Sequence, residues 1–198
     1  MTVLTAAPAQ DAAAPPVHCA CFPGSTIWLT GLPSSGKTTL AHAAAAVLRE
    51  RGRRVEVLDG DELRQTFSAG LGYSRADRRS NVERIGRVAQ VLSRNGVTVL
   101  VPVIAPYADA RALVRSWHRA GGTDFLEVHV AAPLPVCSVR DVKGLYAKHA
   151  AGEITGLTGV DDPYEEPLAP DLRIASHTQT VTESTRELLA LLAERGLA

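Results

Sequence analysis

From Thr26 onward the chain alternates short runs of apolar residues with longer stretches in which apolar residues recur every three or four positions. The runs predict strands at 26–30, 55–59, 98–104, 125–131 and 172–175. The longer stretches predict helices at 37–51, at a segment closing on Asn95-Gly96, at 108–120 and at 181–195. In the second of these, Val82, Ile85, Val88, Ala89 and Leu92 share one helical face. Strands separated by helices imply a parallel sheet covered on its faces by helices, and no internal repeat interrupts the pattern. Two stretches, 68–81 and 141–170, carry Gly, Pro and charge without periodicity and read as long loops of the kind that form lids or binding segments.

With 198 residues, one sizeable domain and a short appendage are expected. The appendage is the Ala/Pro-rich segment 1–23, which buries too little apolar surface to offset its ordering entropy and is expected to be a disordered tail before a domain at 24–198. Lys and Arg number 21, as do Asp and Glu, so there is none of the basic excess of a general nucleic-acid or acidic-membrane binder. No run approaches the ~20 apolar residues of a membrane span and no signal peptide is apparent, so a cytoplasmic protein is expected. Cys19, Cys21 and Cys137 are too few for a disulfide framework, and His18 with Cys19 and Cys21 lacks a fourth metal ligand. Only three of the basic residues are lysines, namely Lys37, Lys143 and Lys148.

The first of them closes the strongest motif. Gly31-Leu32-Pro33-Ser34-Ser35-Gly36-Lys37-Thr38 spells G-x-x-x-x-G-K-[ST] directly between a predicted strand and a predicted helix. Glycines let consecutive N–H groups converge on phosphate oxygens, and the helix that follows offers its positive end to the same anion. An ATP site is expected over Gly31, Leu32, Pro33, Ser34, Ser35, Gly36, Lys37, Thr38 and Thr39, with Lys37 on the β- and γ-phosphates and the Thr38 hydroxyl on Mg²⁺. No acid follows the strand at 98–104, as a Walker B strand would require. Asp59-Gly60-Asp61 instead follows the second strand. Asp61 is the candidate base that orients an attacking hydroxyl and takes its proton late, and Asp59 supports it or contacts a metal-bound water. The plainer reading is a turn with Asp61 as the cap of a short helix through Glu62-Leu63-Arg64, a role compatible with catalysis.

GLPSSGKTTLA, LDGDELR, LGYSRADRRSNVERIGRVA, VIAPYADAR and VRDVKGLYAKHAAGEITGLTGVDDPYEEP follow one another in order, and together they resemble the adenylyl-sulfate kinase (APS kinase) family from about Gly24 to Leu192. The resemblance implies a three-layer α/β/α P-loop kinase fold around a mainly parallel five-stranded sheet, with a mobile lid at about 141–168. It implies phosphorylation of the ribose 3′-hydroxyl of adenosine 5′-phosphosulfate (APS) by ATP with Mg²⁺, giving PAPS and ADP, in a homodimer. Arg64, Arg78 and Asn81 would hold the phosphosulfate and ribose, Tyr73 would stack on the substrate adenine, and Lys143 would serve the lid near the phosphates. Arg140 would stack on the ATP adenine, while Ile104, Leu157, Thr158 and Gly159 would line the pocket over both nucleotides.

Three positions depart from the family pattern. Ala105 replaces a serine, which leaves direct in-line transfer as the mechanism. Glu83 replaces a cation, expected beside the sulfate end. Leu157 replaces a phenylalanine, expected to remove one face of an adenine sandwich, a contact worth about 1–3 kcal/mol. These departures also leave room for a kinase acting on another small alcohol and for a non-catalytic nucleotide-binding relative. The remaining His residues, 42, 118, 129, 149 and 177, read as surface or packing residues, Trp28 and Trp117 as core, and Cys137 as a small buried hydrophobe.

Overall fold

A computed structural model describes residues 24–198. The segment 1–23, including His18, Cys19 and Cys21, lies outside the described residues. Five strands, β1 (Ser25–Thr30), β2 (Val55–Val57), β3 (Thr98–Pro102), β4 (Asp124–Val130) and β5 (Leu172–Ile174), form one sheet in the order β2-β3-β1-β4-β5, with every pairing parallel. Among the described residues there are seven helices: α1 (Lys37–Glu50), α2 (Gly60–Gln65), α3 (Arg75–Arg94), α4 (Ala108–Ala120), α5 (Leu134–Arg140), α6 (Leu145–Ala150) and α7 (Val181–Glu194).

Period-two alternation along the strands feeds two cores, one on each face. Ile27 and Leu29 of β1, Leu100 of β3, and Leu126, Val128 and Val130 of β4 pack with α1 and α7. Trp28, Val99, Val101 and Phe125 pack on the other face with α3 and α4. β1 is buried at all six residues because both of its edges are paired and both of its faces covered. The strand ends shorten relative to the sequence pattern. Leu58 and Val103 still donate to Leu100 and Leu29 at 2.9 and 3.0 Å, and then the chain leaves the sheet to build the site. Every strand therefore delivers a loop to the same carboxyl edge, where ligands bind in open α/β sheets.

The two stretches expected to be irregular contain helix. Arg75–Asn81 forms the first two turns of α3, capped by the Ser74 hydroxyl, which accepts from the Asp77 N–H at 3.1 Å. Periodicity failed there because the inward positions, Arg78 and Asn81, are polar and are nevertheless each only 8% exposed. Within 141–170, α6 is nucleated by the Asp141 carboxylate, which accepts from Tyr146 N at 3.1 Å and Ala147 N at 2.9 Å. The cap of α2 is Asp59 rather than Asp61: its side chain accepts from the Asp61 N–H at 2.9 Å, so Asp61 lies in the first turn.

Trp28 is fully buried. Trp117 is half-buried and packs against the edge of the α3/α4 core, with the Arg87 guanidinium 3.6 Å over its ring. His118 is fully enclosed between Thr26 Oγ1 and the Val114 carbonyl, and burial pulls its pKa down. Cys137 is buried as expected, and burial pushes its thiol pKa up.

Candidate active site

The loop after β1 turns so tightly that a side chain on Gly31 would meet the Val130 carbonyl oxygen at 2.5 Å, and Gly36, just before α1, takes the left-handed φ of +99°. Its carbonyls are held from several directions. Lys37 Nζ donates to Gly31 O at 2.9 Å and Leu32 O at 2.7 Å, and Tyr146 Oη donates to Pro33 O at 3.2 Å. Ser176 Oγ donates to Ser35 O at 2.7 Å, and Arg140 reaches Ser35 O at 3.5 Å and Ser176 O at 2.8 Å. The expected phosphate-binding amine of Lys37 is thus folded beneath its own loop in this state. Burial lowers its pKa to about 7, the Cys137 side chain opposing that shift in part.

Beside the loop, Thr38 Oγ1 donates to Asp59 Oδ2 at 2.9 Å, while Asp59 Oδ1 accepts from Asp61 N. One carboxylate therefore joins the end of the phosphate loop to α2. The hydroxyl and the carboxylate are hard oxygen donors of the kind Mg²⁺ uses together with phosphate oxygens and water, so the residues present fit that ion. Among the described residues no group of three or more His, Cys, Asp or Glu side chains is placed to hold a metal by itself. Asp61 is exposed and ion-paired with Lys143, which stands just before α6. Two of the chain's three lysines thus meet the two expected catalytic elements.

The opposite wall is assembled from α2, α3 and the strap that follows α6. Arg64 lies three residues beyond Asp61 and so on the same helical face, and it donates to Gly72 O at 3.0 Å with its guanidinium 4.5 Å from the Tyr73 ring centroid. Arg78 donates to Tyr73 O at 2.8 Å, Thr158 Oγ1 at 2.8 Å and Gly156 O at 2.5 Å, and sits 3.7 Å from Asp162. Asn81 Oδ1 is buried and has no partner, an arrangement that costs free energy unless a ligand supplies one. Tyr73 is 66% exposed, with the Arg64 and Arg78 guanidinium groups 4.5 and 5.6 Å from its ring centroid. Ile104 O accepts from Thr30 Oγ1 at 2.5 Å, and Gly159 N donates to Asp162 O at 2.7 Å.

Two departures from the expected pattern acquire a physical reading here. Leu157 is only 6% exposed and packs with Ala132, Cys137 and Tyr146, so it anchors the strap instead of presenting an open face. Glu83 pairs with Arg79 at 2.9 Å, and Arg79 also pairs with Asp109 of α4 at 2.7 Å; Glu83 therefore extends a link between helices. Sequence reasoning weighed Glu165 as a hydrogen-bonding partner of lid backbone against a solvated turn, and missed Tyr107, Asp162 and Tyr164, which with Glu165 stitch the strap to the loop after β3 and to the end of β1. Tyr107 Oη donates to Asp162, Ala108 N donates to the Glu165 carboxylate at 2.8 Å, and Tyr164 Oη meets Thr30 Oγ1 at 3.1 Å. The available signal was the chemistry of the quoted segments themselves, where PYADAR and DDPYEEP hold complementary donors and acceptors.

A sequence model of the family described as adenylylsulphate kinase matches residues 23–175. The chain is 52% identical over 171 residues to a probable adenylyl-sulfate kinase of Synechocystis, covering 86% of this chain and 94% of that one. It is 52% identical over 175 residues to an adenylyl-sulfate kinase of Rippkaea orientalis, with coverages of 87% and 93%. Among solved structures, the APS kinase of Mycobacterium tuberculosis in complex with AMPPNP and APS superposes with a TM-score of 0.84 at 47% identity, covering 86% of this chain and 98% of that one.

Proposed function

The chain belongs to the adenylyl-sulfate kinase family, and on that footing we propose that it transfers the γ-phosphoryl group of ATP to the ribose 3′-hydroxyl of APS, giving PAPS and ADP. The observation that carries the reading is the link from Thr38 of the phosphate loop through the Asp59 carboxylate to Asp61, on the short helix that also carries Arg64 beside Tyr73. One side suits a polyphosphate; the other offers planar, multiply donating cations suited to a phosphosulfate and a ring suited to an adenine.

In this reading the 3′-oxygen attacks the γ-phosphorus in line while the bond to the β,γ-bridging oxygen breaks and ADP departs. Asp61 orients the hydroxyl and accepts its proton late, because the transition state is largely dissociative and the alcohol is a far weaker acid than the carboxyl. Lys143 exchanges Asp61 for substrate oxygens, and Lys37 leaves the Gly31 and Leu32 carbonyls for the β- and γ-phosphates. Arg140 leaves Ser176 to stack on the ATP adenine. Arg64, Arg78 and Asn81 hold the phosphosulfate and ribose of APS, with Tyr73 on its adenine. Ile104, Thr158 and Gly159 enclose both nucleotides, and residues 141–168 act as the lid. Mg²⁺, held by Thr38 with Asp59 behind it, supplies charge neutralisation on the phosphates when bound. The reading includes a cytoplasmic homodimer, which light scattering at assay concentration tests for its oligomeric part. Among the described residues no helix is long and apolar enough to cross a membrane.

A coupled ADP-release assay with Mg-ATP and APS tests the reading. ADP release that depends on APS yields PAPS, and Asp61→Ala lowers turnover by about 10²–10⁴-fold, the span of general-base contributions, with ATP affinity kept. ATP binding without APS-dependent ADP release would overturn it.

A further inference from the structure

We infer that Arg111 is a positioning residue for the phosphoryl transfer: it locks the loop after β3 to the strap after α6 and thereby sets the acceptor wall, without itself touching substrate. The inference rests on the adenylyl-sulfate kinase reading above.

Arg111 lies on the inner face of α4 and is 2% exposed, although a charged residue in an amphipathic helix ordinarily faces water. Its guanidinium is spent on three acceptors from three separate segments. Nε donates to Glu127 Oε1 of β4 at 2.6 Å, one terminal nitrogen to Ala105 O at 2.7 Å, and the other to Glu165 O at 2.7 Å. Glu127 is held in turn by Arg115 at 3.4 Å, and Asp171 takes both Arg115, at 2.8 Å, and the Glu127 N–H, at 2.9 Å. The fork is thus anchored to the sheet at one end and grips two loops at the other.

Both gripped carbonyls belong to the acceptor side. Ala105 has φ of +44°, a conformation L residues rarely adopt, and it directly follows Ile104 in the wall of the pocket. Glu165 begins where the strap meets that loop: its N–H donates to Pro106 O at 2.8 Å and its carboxylate caps Ala108 N. From this joint Tyr107 reaches Asp162, and Asp162 faces Arg78. Among the described contacts, Arg111 has none to the phosphate loop. A buried ion pair by itself is weak evidence for stability, because desolvation offsets its attraction, whereas a planar fork spanning three fixed acceptors defines an arrangement that an ammonium cannot reproduce.

The test compares the parent, Arg111→Lys and Glu127→Gln in steady-state kinetics with APS and ATP varied separately, alongside thermal melts. Arg111→Lys keeps the charge and loses the fork. It should lower kcat/KM for APS by about tenfold or more, the size of one or two charge-assisted hydrogen bonds, while KM for ATP stays within about twofold. Glu127→Gln keeps an acceptor for Nε and should shift the same parameters by about threefold in the same direction. A folded Arg111→Lys with parental APS kinetics, or with equal losses toward both substrates, overturns the inference. If Arg111→Lys does not fold, Glu127→Gln decides by the same criteria, and failure of both to fold makes the pair structural and likewise overturns it. A parent enzyme showing no APS-dependent ADP release would instead mark failure of the functional reading.

Discussion

The two walls of the site are built in opposite ways. The phosphate loop comes from consecutive residues, 31–38, and its shape follows from backbone turns at Gly31 and Gly36 with Lys37 folded back on the same segment. The acceptor wall brings together α2, α3, the loop after β3 and the strap at 156–166, held by side chains far apart in sequence, such as Arg78 with Thr158 and Arg111 with Glu165. The first wall is tied to distant residues at the carbonyls of Pro33 and Ser35, by Tyr146, Arg140 and Ser176, while its turns are set by its own residues. A wall made by long-range pairs can be altered from a distance, and changes there should be felt mainly by APS.

The largest effect that would sharpen this contrast is Lys37→Met. It should lower kcat by about 10²–10³-fold, the cost of removing one donor that stabilises transition-state charge, and in single-turnover assays the loss should persist at saturating APS. Next comes Arg78→Met, which removes the contacts to Tyr73, Thr158 and Gly156. KM for APS should rise about ten- to a hundredfold and Kd for ATP should move less than about twofold; equal shifts in both would break the contrast.

The smallest effect is one of pH. With the Lys37 amine held down to about 7 in the free enzyme, polyphosphate restores the charged form, so binding takes up a proton. ATP affinity should be level below pH 7 and fall above it by up to about tenfold per unit, and calorimetry in buffers of different ionisation enthalpy should show the uptake. In the free protein the folded state binds fewer protons at this lysine than the unfolded chain from about pH 7 up to the ordinary lysine value of 10.5. Its unfavourable contribution to stability is therefore relieved as pH rises through that window. A pH-independent affinity would place the amine in water and not beneath the loop.

The same contrast explains what the sequence made legible. Strand runs and the G-x-x-x-x-G-K-[ST] motif are local, so the sheet, its flanking helices and the phosphate loop could be placed from pattern alone. The start of α3 was hidden because its inward residues, Arg78 and Asn81, are polar although buried, and apolar periodicity begins only at Val82. At six residues, α6 is too short to show a period. Arg111 was hidden because its burial depends on the Glu127 carboxylate of β4 and on carbonyls of two loops, of which only Ala105 lies close to it in sequence. The resemblance to a family supplied what pattern could not, namely an expectation of which polar residues would face the acceptor. It did not disclose that Leu157 is packed away or that Glu83 answers Arg79.

The position of β1 at the middle of the sheet has a consequence for how the protein is made. Its hydrogen-bonding neighbours begin at Thr98 on one side and at Asp124 on the other. During synthesis the strand that carries the phosphate loop therefore waits, apolar and unpaired, until about half the chain has been made, and longer still on its second edge. Such long-range parallel pairing is slow and leaves sticky edges exposed in the interval. The segment that is easiest to recognise in the sequence thus depends for its pairing on strands made long after it.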